Sequence, residues 1–183
     1  MARTYGQRIP SLTSETAALE NAKSRLSMQR FVKESQFHAS AAAVFGFHER
    51  PDAFALLTPP WQKTEIIQPP TSLAVGTRVR LRTRVGPIWQ NIEAEHVAYE
   101  PGRSFTDTMV KGPFAYWLHK HVVTPDGPDS STLRDEIDYE LPLGLLGRVG
   151  GSWIARRSLQ KLFEYRHDIT RRYVEKGGAI GTR

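Results

Sequence analysis

His119 and His121 stand two residues apart inside a run that alternates like a β-strand. Side chains at i and i+2 of a strand point to the same face, so both imidazoles project together, alongside Trp117 and Val123. On the next alternating run Leu133, Asp135, Ile137, Tyr139 and Leu141 share one face, while Glu136, Asp138 and Glu140 share the other. The apolar set is the inward one, which makes Asp135 a lone carboxylate on a face bound for the interior. A carboxylate taken out of water needs a partner, and the neighbouring strand offers His119 or His121. A His–Asp pair of that kind orients the ring and raises its basicity. Asp107, on the preceding strand, is a fourth candidate. A strict two-residue turn at Gly112-Pro113 places it opposite Leu118, away from the histidines; a bulge or a three-residue loop brings it to their face.

Three roles fit this set. The simplest is a hydrogen-bonded polar network that fixes strand register. The second is a pocket floor that orients the polar head of a ligand, with Trp117 and Tyr139 as apolar wall. The third is chemistry: general acid–base work by His119, His121 and Asp135, as in a cyclase or dehydratase, or coordination of zinc or ferrous iron by two histidines and a carboxylate. His-x-His pairs on strands are commonplace without metal, so neither a metal nor a cofactor is expected. No phosphate loop, dinucleotide fingerprint, serine elbow or zincin motif is present. The absence of cysteine excludes disulfides, thiolate nucleophiles and Cys-based zinc sites.

The elements that must carry these residues follow from periodicity. Residues 30–38 predict a first strand, and Ser40 caps a short helix over 41–49 by accepting a free amide of its first turn. Pro51 and Asp52 start a second short helix, which Thr58-Pro59-Pro60 stops, since proline cannot donate a helical hydrogen bond. From Trp61 the period is two: strands are predicted over 64–68, 76–85, 88–99, 103–111, 114–124 and 132–141, joined by Gly- and Pro-bearing turns. Short turns make consecutive strands antiparallel neighbours. After Pro142 and the glycine-rich 144–151 segment comes a helix of roughly 25 residues, about 37 Å long. Ile154, Leu159, Leu162, Phe163, Ile169 and Tyr173 form its apolar stripe, and Gly177-Gly178 ends it. A seven-stranded antiparallel sheet with one long helix is an α+β architecture, not a doubly wound fold or a parallel barrel. A strongly twisted sheet has one concave face, and a single helix under-fills it. A mostly apolar internal cavity between sheet and helix is therefore expected, closed at one end by the short helices.

Several stretches resemble a known family: Phe45-Gly46-Phe47-His48, Leu57-Thr58-Pro59-Pro60-Trp61, Phe105-Thr106-Asp107, Gly112-Pro113-Phe114, Trp117-Leu118-His119-Lys120-His121, Leu133-Arg134-Asp135-Glu136, Tyr139-Glu140-Leu141-Pro142 and Leu162-Phe163-Glu164-Tyr165-Arg166-His167. Together and in this order they resemble the START-like (SRPBCC) superfamily, its bacterial ligand-binding SRPBCC domain group and the related polyketide cyclase/dehydrase-like proteins. The resemblance spans residues 31 to about 170. It implies the helix-grip fold, a pocket for an apolar ligand, and an inward Asp107 beside Phe105; it names neither ligand nor reaction.

Residues 1–29 form a Ser-, Thr-, Ala- and Gln-rich arm, 30–176 the helix-grip domain and 177–183 a tail. Three leucines at seven-residue spacing in the arm bury too little to outweigh ordering entropy. The net charge of +6 divides into +3 for residues 1–30, +6 for 148–183 and −3 for the body between them. No coherent basic face results, so nucleic acid is not an expected partner. The basic arm and helix leave docking on an acidic partner or membrane surface as an alternative. No apolar run is long enough to span a bilayer and no secretory signal is evident, so the expected location is the cytoplasm. Arg78, Arg80, Arg82 and Arg84 share a strand face; a two-residue Gly86-Pro87 turn sets Arg80 against Glu93 and Arg78 against Glu95 as exposed ion pairs. Arg166 lies near the apolar stripe of the long helix, within reach of an acidic ligand or a buried carboxylate. The expected function is binding of an apolar, lipid- or isoprenoid-like small molecule, without catalysis. The pocket set is Phe105, Asp107, Trp117, His119, His121, Asp135, Tyr139, Leu162, Phe163 and Arg166. A cyclase/dehydratase-type enzyme and a protein-interaction module are the alternatives.

Overall fold

A computed structural model describes residues 28–142 and 151–176. Strand β1 (Gln29–Phe37) is followed by helices α1 (Ala41–His48) and α2 (Ala53–Leu56). Strands β2 (Thr64–Gln68), β3 (Arg78–Val85), β4 (Ile88–Glu100), β5 (Ser104–Lys111), β6 (Tyr116–Gly127) and β7 (Ser130–Glu140) come next, and α3 (Gly151–Glu175) closes the order. The strands form one seven-stranded antiparallel sheet in the order β1-β7-β6-β5-β4-β3-β2. Each consecutive pair from β2 onward is antiparallel, across short connections from β3 on and a nine-residue one between β2 and β3, and β1 returns to the far edge beside β7. Positive φ at Gly86 and Gly102 lets the β3–β4 and β4–β5 turns close tightly. No described helix is long and apolar enough to cross a membrane.

Local chemistry accounts for the boundaries. The Ser40 hydroxyl accepts from the Ala43 amide at the start of α1. Burial along β7 alternates without a break, with Leu133, Asp135, Ile137 and Tyr139 inward. The β3–β4 register pairs Arg78 with Glu95 and Arg80 with Glu93, and Arg78 closes on both Glu95 and Glu93 at 2.8 and 2.9 Å. Those charges occupy the solvent side of the sheet, which leaves the other face to the core.

Helix α3 lies across the concave face. Phe31, Ile137, Tyr139, Leu159 and Phe163 form the core layer under its N-terminal half, while Phe47, Ala53, Leu57 and Ile169 join its C-terminal half to the short helices. Phe37, Val44, Phe45, Phe105, Val123 and Leu133 pack where α1 meets the sheet. The buried stripe of α3 is Leu159, Phe163, His167, Ile169 and Thr170. Ile154 departs from the expected stripe and is 60% exposed. The predicted arm up to residue 27, the glycine-rich segment over 143–150 and the Gly177-Gly178 stop with its tail lie outside the described residues.

Candidate functional site

Strand register brings the predicted polar residues together. His121 pairs directly with Asp135 across β6–β7, and Asp107 pairs directly with His119 across β5–β6. Residues opposite each other on antiparallel strands share a face, so Asp107 points inward. The β5–β6 register differs by one residue from that of a strict two-residue turn, pairing Thr108 rather than Asp107 with Leu118, which resolves the parity in favour of the histidine face. All four side chains meet beneath α3. Asp135 Oδ1 accepts from His119 Nε2 at 3.0 Å, and Asp135 Oδ2 accepts from His167 Nε2 at 2.6 Å. His121 Nδ1 lies 2.6 Å from the same Oδ1, but at an angle that fails hydrogen-bond geometry. Asp107 Oδ2 is 3.1 Å from His119 Nδ1 and 3.7 Å from His121 Nε2.

Burial and charge oppose each other throughout this cluster. Burial pushes the His119 ring toward neutrality, but the carboxylates of Asp107 and Asp135 on either side overcome it and lift its pKa to about 9. Burial likewise favours the protonated acid at Asp107 and Asp135, yet their histidine partners hold both well below the ordinary carboxylate range. His48, buried at the end of α1, goes the other way. Desolvation, reinforced by the charge of His121, lowers it to about 4, and its Nδ1 faces the Val44 carbonyl oxygen at 2.9 Å. His96, on β4 opposite Asp107, is also lowered by burial, against the pull of Asp107.

Aromatic rings enclose these groups. Phe105 stacks on His121 with centroids 4.0 Å apart, and Phe163 meets His119 edge-on at 5.1 Å. Trp117 is half-buried and packs on Phe114, which in turn meets Tyr139 edge-on. Tyr139 is buried and donates from its hydroxyl to Gln29 Oε1, and Leu162 is half-buried against the same core layer. Arg166 enters from α3 with its guanidinium 5.2 Å from the Phe163 ring centroid. Its Nε donates to the Leu57 carbonyl oxygen at 3.4 Å, and no carboxylate lies within ion-pair distance of it among the described residues. Burial lowers its pKa, while Asp135 and Asp107 pull it back up.

Every predicted pocket residue thus falls on the concave side, and three further buried histidines, His48, His96 and His167, lie outside the predicted set. His167 follows Phe163 by four and Leu159 by eight, so helical spacing alone assigns it to the buried face. His48 and His96 carry no such mark, because nothing local shows which end of α1 or which face of β4 meets the cluster. Beneath Phe163, where a mostly apolar cavity is expected, His119 meets the ring edge-on with Asp107 and Asp135 beside it. Two clefts lie elsewhere. One, of about 460 Å³, opens between α3 and the β3–β4 turn, lined by Trp61, Gln62, Lys63, Arg84, Ser158 and Lys161. The other, of about 330 Å³, is on the convex face, around Thr106, Leu118 and Lys120.

The family model described as polyketide cyclase/dehydrase and lipid transport matches residues 28–175. The chain belongs to that family. No curated protein sequence matches it. Among solved structures it is similar to a START superfamily protein from Mycobacterium smegmatis, at 17% identity and a TM-score of 0.59 over 80% of this chain and 97% of that one. Norcoclaurine synthase from Thalictrum flavum in complex with dopamine and hydroxybenzaldehyde is similar at 16% identity and a TM-score of 0.62, with 100% of both chains covered. The Zhui aromatase/cyclase from Streptomyces sp. R1128 is similar at 15% identity and 0.56, over 83% of this chain and 99% of that one. At such identities the likeness extends to the fold. Membership of the polyketide cyclase/dehydrase and lipid transport family implies ligand binding or cyclase activity. On this member's own residues, the cluster can hold a proton at His119, hydrogen-bond a polar group at Asp107 and Arg166, or coordinate a cation.

Proposed function

We propose that the chain binds an amphipathic small molecule with an apolar body and an acidic end. The carrying observation is Arg166, a largely sequestered guanidinium on the concave side whose donors meet one carbonyl oxygen and no carboxylate. A cation held in an apolar setting with one carbonyl acceptor and no carboxylate in contact favours an anionic group that supplies the missing hydrogen bonds. Asp107 is the accessible carboxylate of the cluster: 17% of its side chain is exposed, against 3% for His119 and Asp135.

Ser158, Leu162 and Arg166 are spaced four apart on α3 and share a face. The cleft lined by Ser158 and Lys161 therefore opens two turns from Arg166, and Lys63, Arg84 and Lys161 give its mouth a positive field for an acidic ligand. Its volume falls in the range of small-molecule sites. Trp61, about half exposed in that cleft, supplies apolar contact for the body.

Native mass spectrometry of the purified chain, followed by solvent extraction, tests this reading. A retained molecule bearing a carboxylate or phosphate is expected, with at least a tenfold loss of occupancy in Arg166→Gln at unchanged thermal midpoint. Retention of a neutral ligand, equally well held by that variant, would sink the acidic assignment.

A further inference from the structure

We infer that Asp107, His119 and His121 form a binding site for a first-row divalent transition metal ion. The three residues offer one ligand atom each, all within 4.8 Å of one another, and the nitrogens nearest Asp107 are His119 Nδ1 and His121 Nε2. Ligand atoms about 2.0–2.2 Å from a common ion lie about 3–3.5 Å apart, whether the geometry is octahedral or tetrahedral. Of the two carboxylate–imidazole separations, 3.1 Å falls within that spacing and 3.7 Å lies just beyond it.

The other ring nitrogens converge on one carboxylate, His119 in a hydrogen bond and His121 close but off-angle. His119 Nε2 and His121 Nδ1 both turn away from Asp107 and lie 3.0 and 2.6 Å from one oxygen, Asp135 Oδ1. A carboxylate behind each ligating ring fixes its tautomer and raises its basicity. Here one carboxylate stands behind both rings, and His167 on α3 holds its second oxygen.

His121 supplies an independent observation. Its ring is buried, yet its Nδ1 meets Asp135 off-angle and its Nε2 stands 3.7 Å from Asp107, too far for a hydrogen bond. A buried imidazole with neither nitrogen well bonded is costly. An ion between Nε2 and Asp107 satisfies the first nitrogen and assigns the proton to the second, which then donates to Asp135. The ligands sit on β5 and β6 in direct register, so the backbone holds them with little freedom. Asp107 is the most exposed of the set, which leaves the ion's remaining positions facing the accessible corner.

Two imidazoles and one carboxylate select zinc or ferrous iron over magnesium or calcium, which take oxygen ligands. This reverses the expectation drawn from the His-x-His pair alone, because what distinguishes a site from a chance pair is the carboxylate on each side of the rings. The inference stands on these residues whether or not an acidic ligand binds at Arg166.

The test is titration of the full, chelator-stripped chain with zinc by calorimetry and with cobalt by visible absorption. One equivalent of each should bind, cobalt giving the ligand-field bands of a low-symmetry nitrogen/oxygen site. Asp107→Asn, at the least buried position, and His121→Gln should each weaken binding at least tenfold with an unchanged far-ultraviolet circular dichroism spectrum. Arg78→Ala, on the opposite face, should bind as the unaltered chain does. Failure of the folded chain to bind either ion saturably, or equal affinity in Asp107→Asn, would overturn the assignment.

Discussion

His167 Nε2 donates to Asp135 Oδ2 at 2.6 Å, and this contact ties the centre of α3 to β7 through a charged hydrogen bond. Phe163 is fully buried one turn earlier, so the helix docks by an apolar ring and a polar anchor in succession. The polar anchor has consequences that an all-apolar interface would not. Asp135 lies within 3.0 Å of three imidazoles and accepts from two of them, and removing it leaves His119 and His167 without that acceptor.

Asp135→Ala should therefore lower stability by about 3–5 kcal/mol, the range for removing one partner of a buried charged pair. Asp135→Leu, closer in volume, should recover part of that loss, because neutral imidazoles tolerate an apolar neighbour better than a cavity does. Urea unfolding of the metal-free variants measures both. A loss under 1 kcal/mol in Asp135→Ala would mean that the cluster does not anchor α3.

The same cluster predicts a stability optimum near neutrality. His119 has a folded pKa of about 9, above the ordinary value of 6.5. Its contribution is complete below pH 6.5 and is lost as pH rises toward 9, because the folded state then holds a proton that the unfolded state has released. His48, lowered to about 4, contributes fully above pH 6.5, and that contribution is lost as pH falls toward 4. Each limb is worth at most about 3 kcal/mol. Unfolding midpoints of metal-free protein should thus peak near pH 6.5. Asp107→Asn should flatten the alkaline limb and His48→Gln the acid limb; monotonic behaviour across the range would contradict both assignments.

Much of this arrangement is legible in the sequence, and the illegible parts share a cause. Alternation places Asp135 inward and predicts the Arg78–Glu95 and Arg80–Glu93 pairs, because strand periodicity and a two-residue turn leave one register. Asp107 is ambiguous because its face depends on the loop over 112–115, where one residue more or less reverses parity. His48 and His96 depend on how α1 and β4 meet β6, which no local pattern records. The filling of the interior depends on how closely α3 approaches the sheet, which is set by the packing of Phe31, Leu159 and Phe163 together.

The surface pairs of β3 supply a contrasting prediction. Arg78 is about half exposed and its partners belong to the solvent side of the sheet. Exposed ion pairs contribute little because water screens them and long side chains lose freedom on pairing. Arg78→Ala should shift the denaturant midpoint by the equivalent of about 1 kcal/mol or less, and added salt should shrink the difference further. A loss approaching that of Asp135→Ala would mean that these charges hold the β3–β4 hairpin in place.

Phe163 separates the polar cluster from the rest of the helix interface, and its removal tests whether that interface can accept a guest. The ring is fully buried, with Phe31 5.7 Å away, His119 5.1 Å away and the Arg166 guanidinium at 5.2 Å. Phe163→Ala should cost about 3–5 kcal/mol, from lost transfer energy and the cavity left behind. That cavity would be walled by Phe31 and Leu159 on the apolar side and by His119 on the polar side. A dry apolar space of such size binds small aromatic molecules, so benzoate or phenol should raise the variant's thermal midpoint. Benzoate should be the more effective of the two, since its carboxylate can reach Arg166, and the difference should vanish in Phe163→Ala combined with Arg166→Gln. Equal rescue by both compounds in the presence of Arg166 would show that the guanidinium does not read charge at this position.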